Sequence, residues 1–187
     1  MEHRITLSTI IGVVRWIPPP PGYYKLNSDG CKKEGEESGI GGIIRDHTSS
    51  PVISYYDSIG AGTNIRAGLI AMKGLQICNR YNLFPLWLEV DFTAALAIIE
   101  VDTMRWDLSH TLTQIQIIRH GSNVRKSHVY MEVNLVAYEL ANMGLAFGTS
   151  ILQPKVSRDG SRGSVDWIEQ NFLILELDQK FEINLLS

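Results

Sequence analysis

Four consecutive prolines, Pro18–Pro21, constrain this chain more than any other feature. Each fixes φ and lacks a backbone donor, so the segment runs extended and cannot lie inside a sheet. Trp16 precedes the run and Gly22 releases it into Tyr23-Tyr24-Lys25-Leu26, a stretch rich in strand-forming aromatics. That strand ends on the polar cluster Asn27-Ser28-Asp29-Gly30, with one carboxylate at its tip. Taken alone, Asp29-Gly30 suits a hairpin turn, because the pair tolerates positive φ.

The 187 residues bound the chain to one domain with some tail, long enough to bury a substantial core. Hydrophobic residues at 44% and charged residues at 20% exclude wholesale disorder. A net charge of −3 means that any nucleic-acid surface must be a local basic patch. Cys31 and Cys78 have no metal-ligand spacing and read as two buried thiols of a reduced intracellular chain, nuclear or cytoplasmic and not secreted. The apolar stretch from Ile5 to Val14 lacks a small-x-small cleavage site and is half the ~20 residues a membrane span needs. It is read as an N-terminal arm.

Past Gly30, a charged, glycine-punctuated loop reaches Ser38, and a second strand is expected over Gly39–Asp46. A turn at His47–Pro51 leads to a third over Val52–Ile59, completing an antiparallel meander. Thr63 or Asn64 can cap a helix to about Asn79, where Ile65, Leu69 and Met72 share a face. Leu86–Val90 reads as a short apolar strand, reached through a helix and therefore parallel to the first. A helix to about Val101, another over Leu108–Arg119, a fifth strand over Val124–Tyr130 and an amphipathic helix stopped by Gly144 complete the order. The expected domains are an arm over 1–15, a folded unit over 16–145 and a C-terminal tail over 146–187.

The phrase of tryptophan, proline run, glycine and a strand ending Asn-x-Asp-Gly resembles the opening of plant retroelement-derived ribonuclease H-like domains. His128-Val129-Tyr130-Met131-Glu132-Val133-Asn134-Leu135-Val136-Ala137-Tyr138-Glu139-Leu140-Ala141 resembles that family's last helix motif, His-Val-x-Arg-Glu-x-Asn-x-x-Ala-Asp-x-Leu-Ala. The resemblance covers about Trp16 to Gly144. It implies an α/β ribonuclease H-like fold, a five-stranded mixed sheet with three antiparallel strands, then parallel ones, and helices on both faces.

The family's activity is hydrolysis of the RNA strand of an RNA–DNA hybrid, with two Mg²⁺ ions activating water and stabilising the leaving oxygen. Mg²⁺ wants oxygen ligands, so the family supplies four carboxylates: first strand, first helix, end of the fourth strand, last helix. Asp29 fits the first position and Asp91 the third, the latter also suited to cap the following helix. At the second, Gly68 stands in Ala67-Gly68-Leu69, the stretch to Gly74-Leu75 is one residue short, and no acidic residue occurs between Asp57 and Glu89. At the fourth, Tyr138 replaces the aspartate and Met131 the arginine. With Asn134 capping, Val133 and Tyr138 take hydrophobic-staple positions. Glu139 is turned ~100° from Tyr138 around the helix. His128 reads as a hydrogen-bonded structural residue. Arg119, Arg125 and Lys126, with His120, form the one modest basic concentration, suited to backbone phosphates.

The resemblance thus implies a nucleic-acid-binding ribonuclease H-like domain, for hybrid or duplex, with impaired catalysis and at most one loosely held Mg²⁺ on Asp29 and Asp91. Two alternatives stay open: a working hybrid ribonuclease, and a retroelement remnant that binds a protein partner.

Overall fold

The computed structural model describes residues 10–32, 37–61, 66–91, 113, 116–118, 121–152, 155–156, 162–163 and 181–185. In chain order the elements are β1 (Ile10–Val14), β2 (Tyr24–Lys32), β3 (Glu37–Arg45), β4 (Pro51–Ala61), α1 (Arg66–Arg80), β5 (Leu86–Val90) and β6 (Val124–His128). A 3-10 turn at Met131–Val133 leads into α2 (Leu135–Phe147), then β7 (Ser150–Leu152), β8 (Lys155–Val156), β9 (Arg162–Gly163) and β10 (Phe181–Leu185). The helix expected after Asp91 lies outside the described residues. Of the one expected over Leu108–Arg119, Thr113 and residues 116–118 are helical. The proposed caps Thr63 and Asn64 also lie outside them.

The main sheet runs β6-β5-β2-β3-β4-β7. β2, β3 and β4 are antiparallel neighbours, while β5 pairs parallel to β2 and to β6. A sixth strand thus joins the five expected, and it comes from the stretch read as tail: β7 pairs antiparallel with Ser54–Tyr56 of β4. Three residues are too few to display a strand's alternation, so this edge carries no sequence signal of its own. Within the arm, Ile10–Val14 forms β1, which pairs in a separate two-stranded ladder with β10.

Asp29-Gly30 makes no turn. β2 continues to Lys32, with Asp29 opposite Gly41 and Gly30 opposite Ile40, because pairing with a long partner outweighs a local turn preference. Leu26, Ile44, Ile53, Tyr55, Leu75, Cys78, Leu86, Leu88 and Val90 form the main core, on the sheet face that α1 covers. On the opposite face α2 packs over β2, β3 and β4, with Val136 and Leu140 against Ile43. Burial pushes the Cys78 thiol well above its usual range, so it stays protonated and inert at neutral pH.

Two glycines set how closely α2 approaches. A Cβ at Gly41 would collide with the backbone of Leu140 and Ala141, and one at Gly144 with the backbone of Asp57. Gly144 is therefore a packing residue inside α2, not its stop; the helix ends at Gly148, whose φ is 82°. Asp57 also accepts Lys73 Nζ from α1 at 2.6 Å and the hydroxyl of Thr149, which follows α2, tying α1 and the segment after α2 to β4. Gly41→Val is expected to cost about 3 kcal/mol in urea denaturation, because backbone cannot move aside as a side chain can. A loss under about 1 kcal/mol would mean that α2 stands off the sheet.

Candidate nucleic-acid active site

Ser28 is where the site is assembled. It is fully buried, and it touches every element that the family resemblance assigns a carboxylate. The Tyr55 hydroxyl lies 2.8 Å from Ser28 Oγ. Burial raises that phenol far above its usual range, so it remains a neutral donor. Ser28 Oγ in turn donates to the Ile70 carbonyl at 3.0 Å, docking the first turns of α1 two residues beyond Gly68. The Ser28 carbonyl accepts Asn134 Nδ2 at 3.3 Å, docking the N-terminus of α2. Across the sheet Ser28 pairs with Val90, the last residue of β5.

The next step along each strand is Asp29 on β2 and Asp91 just beyond β5, on adjacent parallel strands about 4.8 Å apart. Asp29 is 6% exposed, and its Oδ1 accepts the Gly30 N–H at 2.6 Å. Strand alternation puts Asp29 on the face of Asn27, whose Nδ2 donates to Glu89 Oε2 at 3.1 Å, and Asp91 follows Glu89 by two residues. His128 Nε2 lies 3.0 Å from the Asp91 carbonyl. A carbonyl only accepts, so that nitrogen carries the proton and steadies the turn at Asp91. This agrees with the structural role expected for His128.

The other two positions hold no carboxylate. Gly68 lies in the first turn of α1, which carries no acidic residue. Tyr138 lies on α2 one turn past Asn134, with its N–H on the Asn134 carbonyl at 3.1 Å. The staple expectation fails, because Tyr138 is 36% exposed while Val133 is buried. Asn134 occupies the N-cap position without a side-chain cap bond, its amide being used on Ser28. Glu139 accepts Asn142 Nδ2 at 3.5 Å along the helix, so it does not replace the missing aspartate.

The basic residues are split. Arg125 pairs across from Trp87 and Lys126 from Leu88, so alternation sends them to opposite faces of the edge strand β6. Arg125 is exposed on the Asp29 face, and Lys126 is half-buried on the α1 face. Arg119 and His120 lie outside the described residues.

What sequence reading missed is a buried polar row beside the site. Lys25 Nζ, 1% exposed, pairs with Glu89 Oε2 at 2.8 Å and donates to the Ile17 carbonyl at 2.6 Å. It also lies 4.7 Å from the ring centre of Trp16 and 4.1 Å from that of Trp87. Trp16 Nε1 donates to Asn27 Oδ1 at 2.9 Å, and Trp87 Nε1 to Ser127 Oγ at 2.6 Å. The proline run thus leads from a tryptophan that roofs this network. Its sequence signal was the polar alternation Lys25, Asn27, Asp29 facing Trp87, Glu89, Asp91, which aligns only once the parallel register is known.

Mg²⁺ is tested by the donor set. Asp29 and Asp91 offer two hard oxygen donors, and among the described residues no group of three or more His, Cys, Asp or Glu gathers. Such a pair suits one ion completed by water and phosphate oxygens, and it does not suit two ions.

A family model described as reverse transcriptase-like matches residues 27–144. An Arabidopsis thaliana protein named "Putative ribonuclease H protein" is 28% identical over 154 residues, covering 79% of this chain. The alignment spans only 24% of that protein's own length. Among solved structures, the N-terminal RNase H domain of a Mycobacterium tuberculosis protein superimposes with a TM-score of 0.59 at 17% identity, over 66% of this chain and 94% of its own. RNase H1 of the archaeon Halobacterium salinarum gives 0.58 at 21% identity, over 67% and 98%. The chain belongs to the reverse transcriptase-like family, and it is a ribonuclease H-fold domain of the plant retroelement-derived kind.

Proposed function

We propose that this domain binds RNA–DNA hybrid or duplex nucleic acid and hydrolyses it at a strongly reduced rate. One observation supports the reading: Ser28 bonds to α1 and α2 and pairs with the end of β5, and the positions that the resemblance assigns to two of the four carboxylates carry Gly68 and Tyr138. A solved relative, LC11-RNase H1 in complex with an RNA/DNA hybrid, has the same fold with a TM-score of 0.55 at 18% identity, which supports the ligand class.

The chain's own residues would act as follows. Asp29, oriented by the Gly30 N–H, and Asp91, steadied by His128, would hold one Mg²⁺ between strand ends. When bound, that ion would supply positive charge to a phosphodiester oxygen. Tyr138, exposed at the rim, offers a hydroxyl and a ring face but no full negative charge. Gly68 offers no side chain, so the α1 side of the site contributes nothing to charge stabilisation. Two buried cysteines, Cys31 and Cys78, support a reducing compartment, nucleus or cytoplasm. Among the described residues no helix is long and apolar enough to cross a membrane.

The test measures hybrid binding and Mg²⁺-dependent cleavage side by side. Binding is expected to be weak and salt-sensitive, with a log–log slope of about −0.9 per phosphate neutralised on a B-form duplex. Cleavage is expected near background. Robust turnover that vanishes in Asp29→Asn would refute the depleted-site reading, and binding with no salt dependence would favour a protein partner instead.

A further inference from the structure

We infer that Arg125, held over the Trp87 ring, is a clamp for one nucleic-acid phosphate on the strip of the sheet that leads to Asp29 and Asp91. The inference rests on the proposed function and adds to it a specific contact, with a residue that positions it.

One row crosses four strands: Arg45 on β3, Lys25 on β2, Trp87 on β5 and Arg125 on β6, each opposite the next. Arg45 and Lys25 are each 1% exposed, with Arg45 5.1 Å and Lys25 4.7 Å from the ring centre of Trp16. Arg125 ends the row exposed at the edge, its guanidinium carbon 4.5 Å from the Trp87 ring centre. Trp87 cannot swing away easily. Its Nε1 is anchored on Ser127 Oγ, and Ser127 Oγ lies 3.4 Å from Glu89 Oε1, the carboxylate that pairs with Lys25. A guanidinium stacked by one face keeps its N–H edge free, in the planar fork that matches two phosphate oxygens. Among the described residues no carboxylate pairs with Arg125. The nearby Glu89 charge is answered by Lys25 at 2.8 Å, so it does not repel an anion at the fork.

The position fits a strand approaching the site. α2 lies over β2, β3 and β4, leaving this face of β5 and β6 uncovered by it. Trp87 precedes Asp91 by four residues, about 13 Å of strand. That is close to four steps of the 3.4 Å rise per nucleotide along a duplex. In a chain of net charge −3, a locked cation at that distance supplies locally the attraction that the whole molecule lacks.

The experiment is fluorescence anisotropy of a labelled 12-base-pair RNA–DNA hybrid without Mg²⁺, across a salt series. The chains compared are the unaltered one, Arg125→Lys, Arg125→Gln and Trp87→Leu. Arg125→Lys keeps the charge and loses the stacked fork, so affinity should fall about 2- to 5-fold at unchanged salt slope. Arg125→Gln should weaken binding further and reduce the slope by about 0.9. Trp87→Leu should reproduce Arg125→Lys, again without a slope change. If it does not fold, by urea denaturation, Trp87→Phe should show a smaller loss in the same direction, because the ring face is smaller but present. Arg125→Lys and the folded Trp87 variant both binding like the unaltered chain would overturn the clamp, as would an unchanged slope in Arg125→Gln. No binding by the unaltered chain at low salt would overturn the proposed function itself, and the clamp with it.

Discussion

Gly68→Glu and Tyr138→Asp together are expected to raise Mg²⁺-dependent hybrid cleavage about 100-fold or more, the scale set by restoring electrostatic stabilisation in a preorganised site. The reason is positional. Ser28 Oγ docks α1 through the Ile70 carbonyl, two residues past Gly68, and the Ser28 carbonyl docks α2 through Asn134, one turn before Tyr138. Carboxylates at 68 and 138 would therefore enter the junction that already holds Asp29 and Asp91. Four oxygen donors suit two ions, so attacking and leaving oxygens could both be stabilised. Folding should survive the changes. Replacing a glycine near the start of α1 gains up to ~1 kcal/mol, and an acid there also favours the helix dipole. Tyr138 is 36% exposed, so little packing is lost with it. The readout is cleavage of a labelled hybrid in Mg²⁺, after circular dichroism shows the native fold. Each single variant should recover less than the pair. A folded double variant still at background would show that position 68, one residue short of the family spacing, does not aim its side chain at Asp29.

Glu89→Ala is expected to cost about 3–5 kcal/mol of stability, the scale for removing one partner of a buried ion pair. Lys25 is 1% exposed and would lose the carboxylate that faces its charge, with the Ile17 carbonyl and two indole faces still beside it. Asn27 Nδ2 would lose its acceptor as well. The loss measures an orphaned buried charge, not the net worth of the pair, because desolvation offsets most of the Coulomb gain. Lys25→Met with Glu89→Leu should accordingly cost less than Glu89→Ala alone, a non-additivity that a double-mutant cycle in urea reads directly. A cost under about 1 kcal/mol for Glu89→Ala would mean that water reaches the pair and the Trp16 roof does not seal it.

Much of the sheet could be read from the chain because its strands carry their own signals. Leu86–Val90 is short, apolar and bounded by Pro85 and Asp91, and β5 spans those residues in the structure. Asp29 and Asp91 were legible as partners because a helical crossover dictates a parallel neighbour, and the register sets Ser28 against Val90. Local signals misled where long pairing or close packing took over. The Asp29-Gly30 turn preference lost to the β2–β3 ladder, and Gly144 serves contact with Asp57 instead of ending α2. The staple reading assumed that a tyrosine next to an apolar run is buried, but α2 turns Tyr138 outward.

From the order of its residues alone, the chain specified a mixed sheet with a parallel crossover and two carboxylates at neighbouring strand ends. These follow from short-range rules: alternation, helical period, proline geometry and the identity of the residue at each position. Only the tertiary structure decided that Ser28 joins the elements of the site, and that Lys25 and Glu89 pair beneath Trp16. It also decided that Arg125 and Lys126, adjacent in sequence, face opposite sides of the sheet. The physical reason is register. Which side chains meet across strands depends on how separate segments align, and a slip of one residue would send Lys25, Asn27 and Asp29 to the other face.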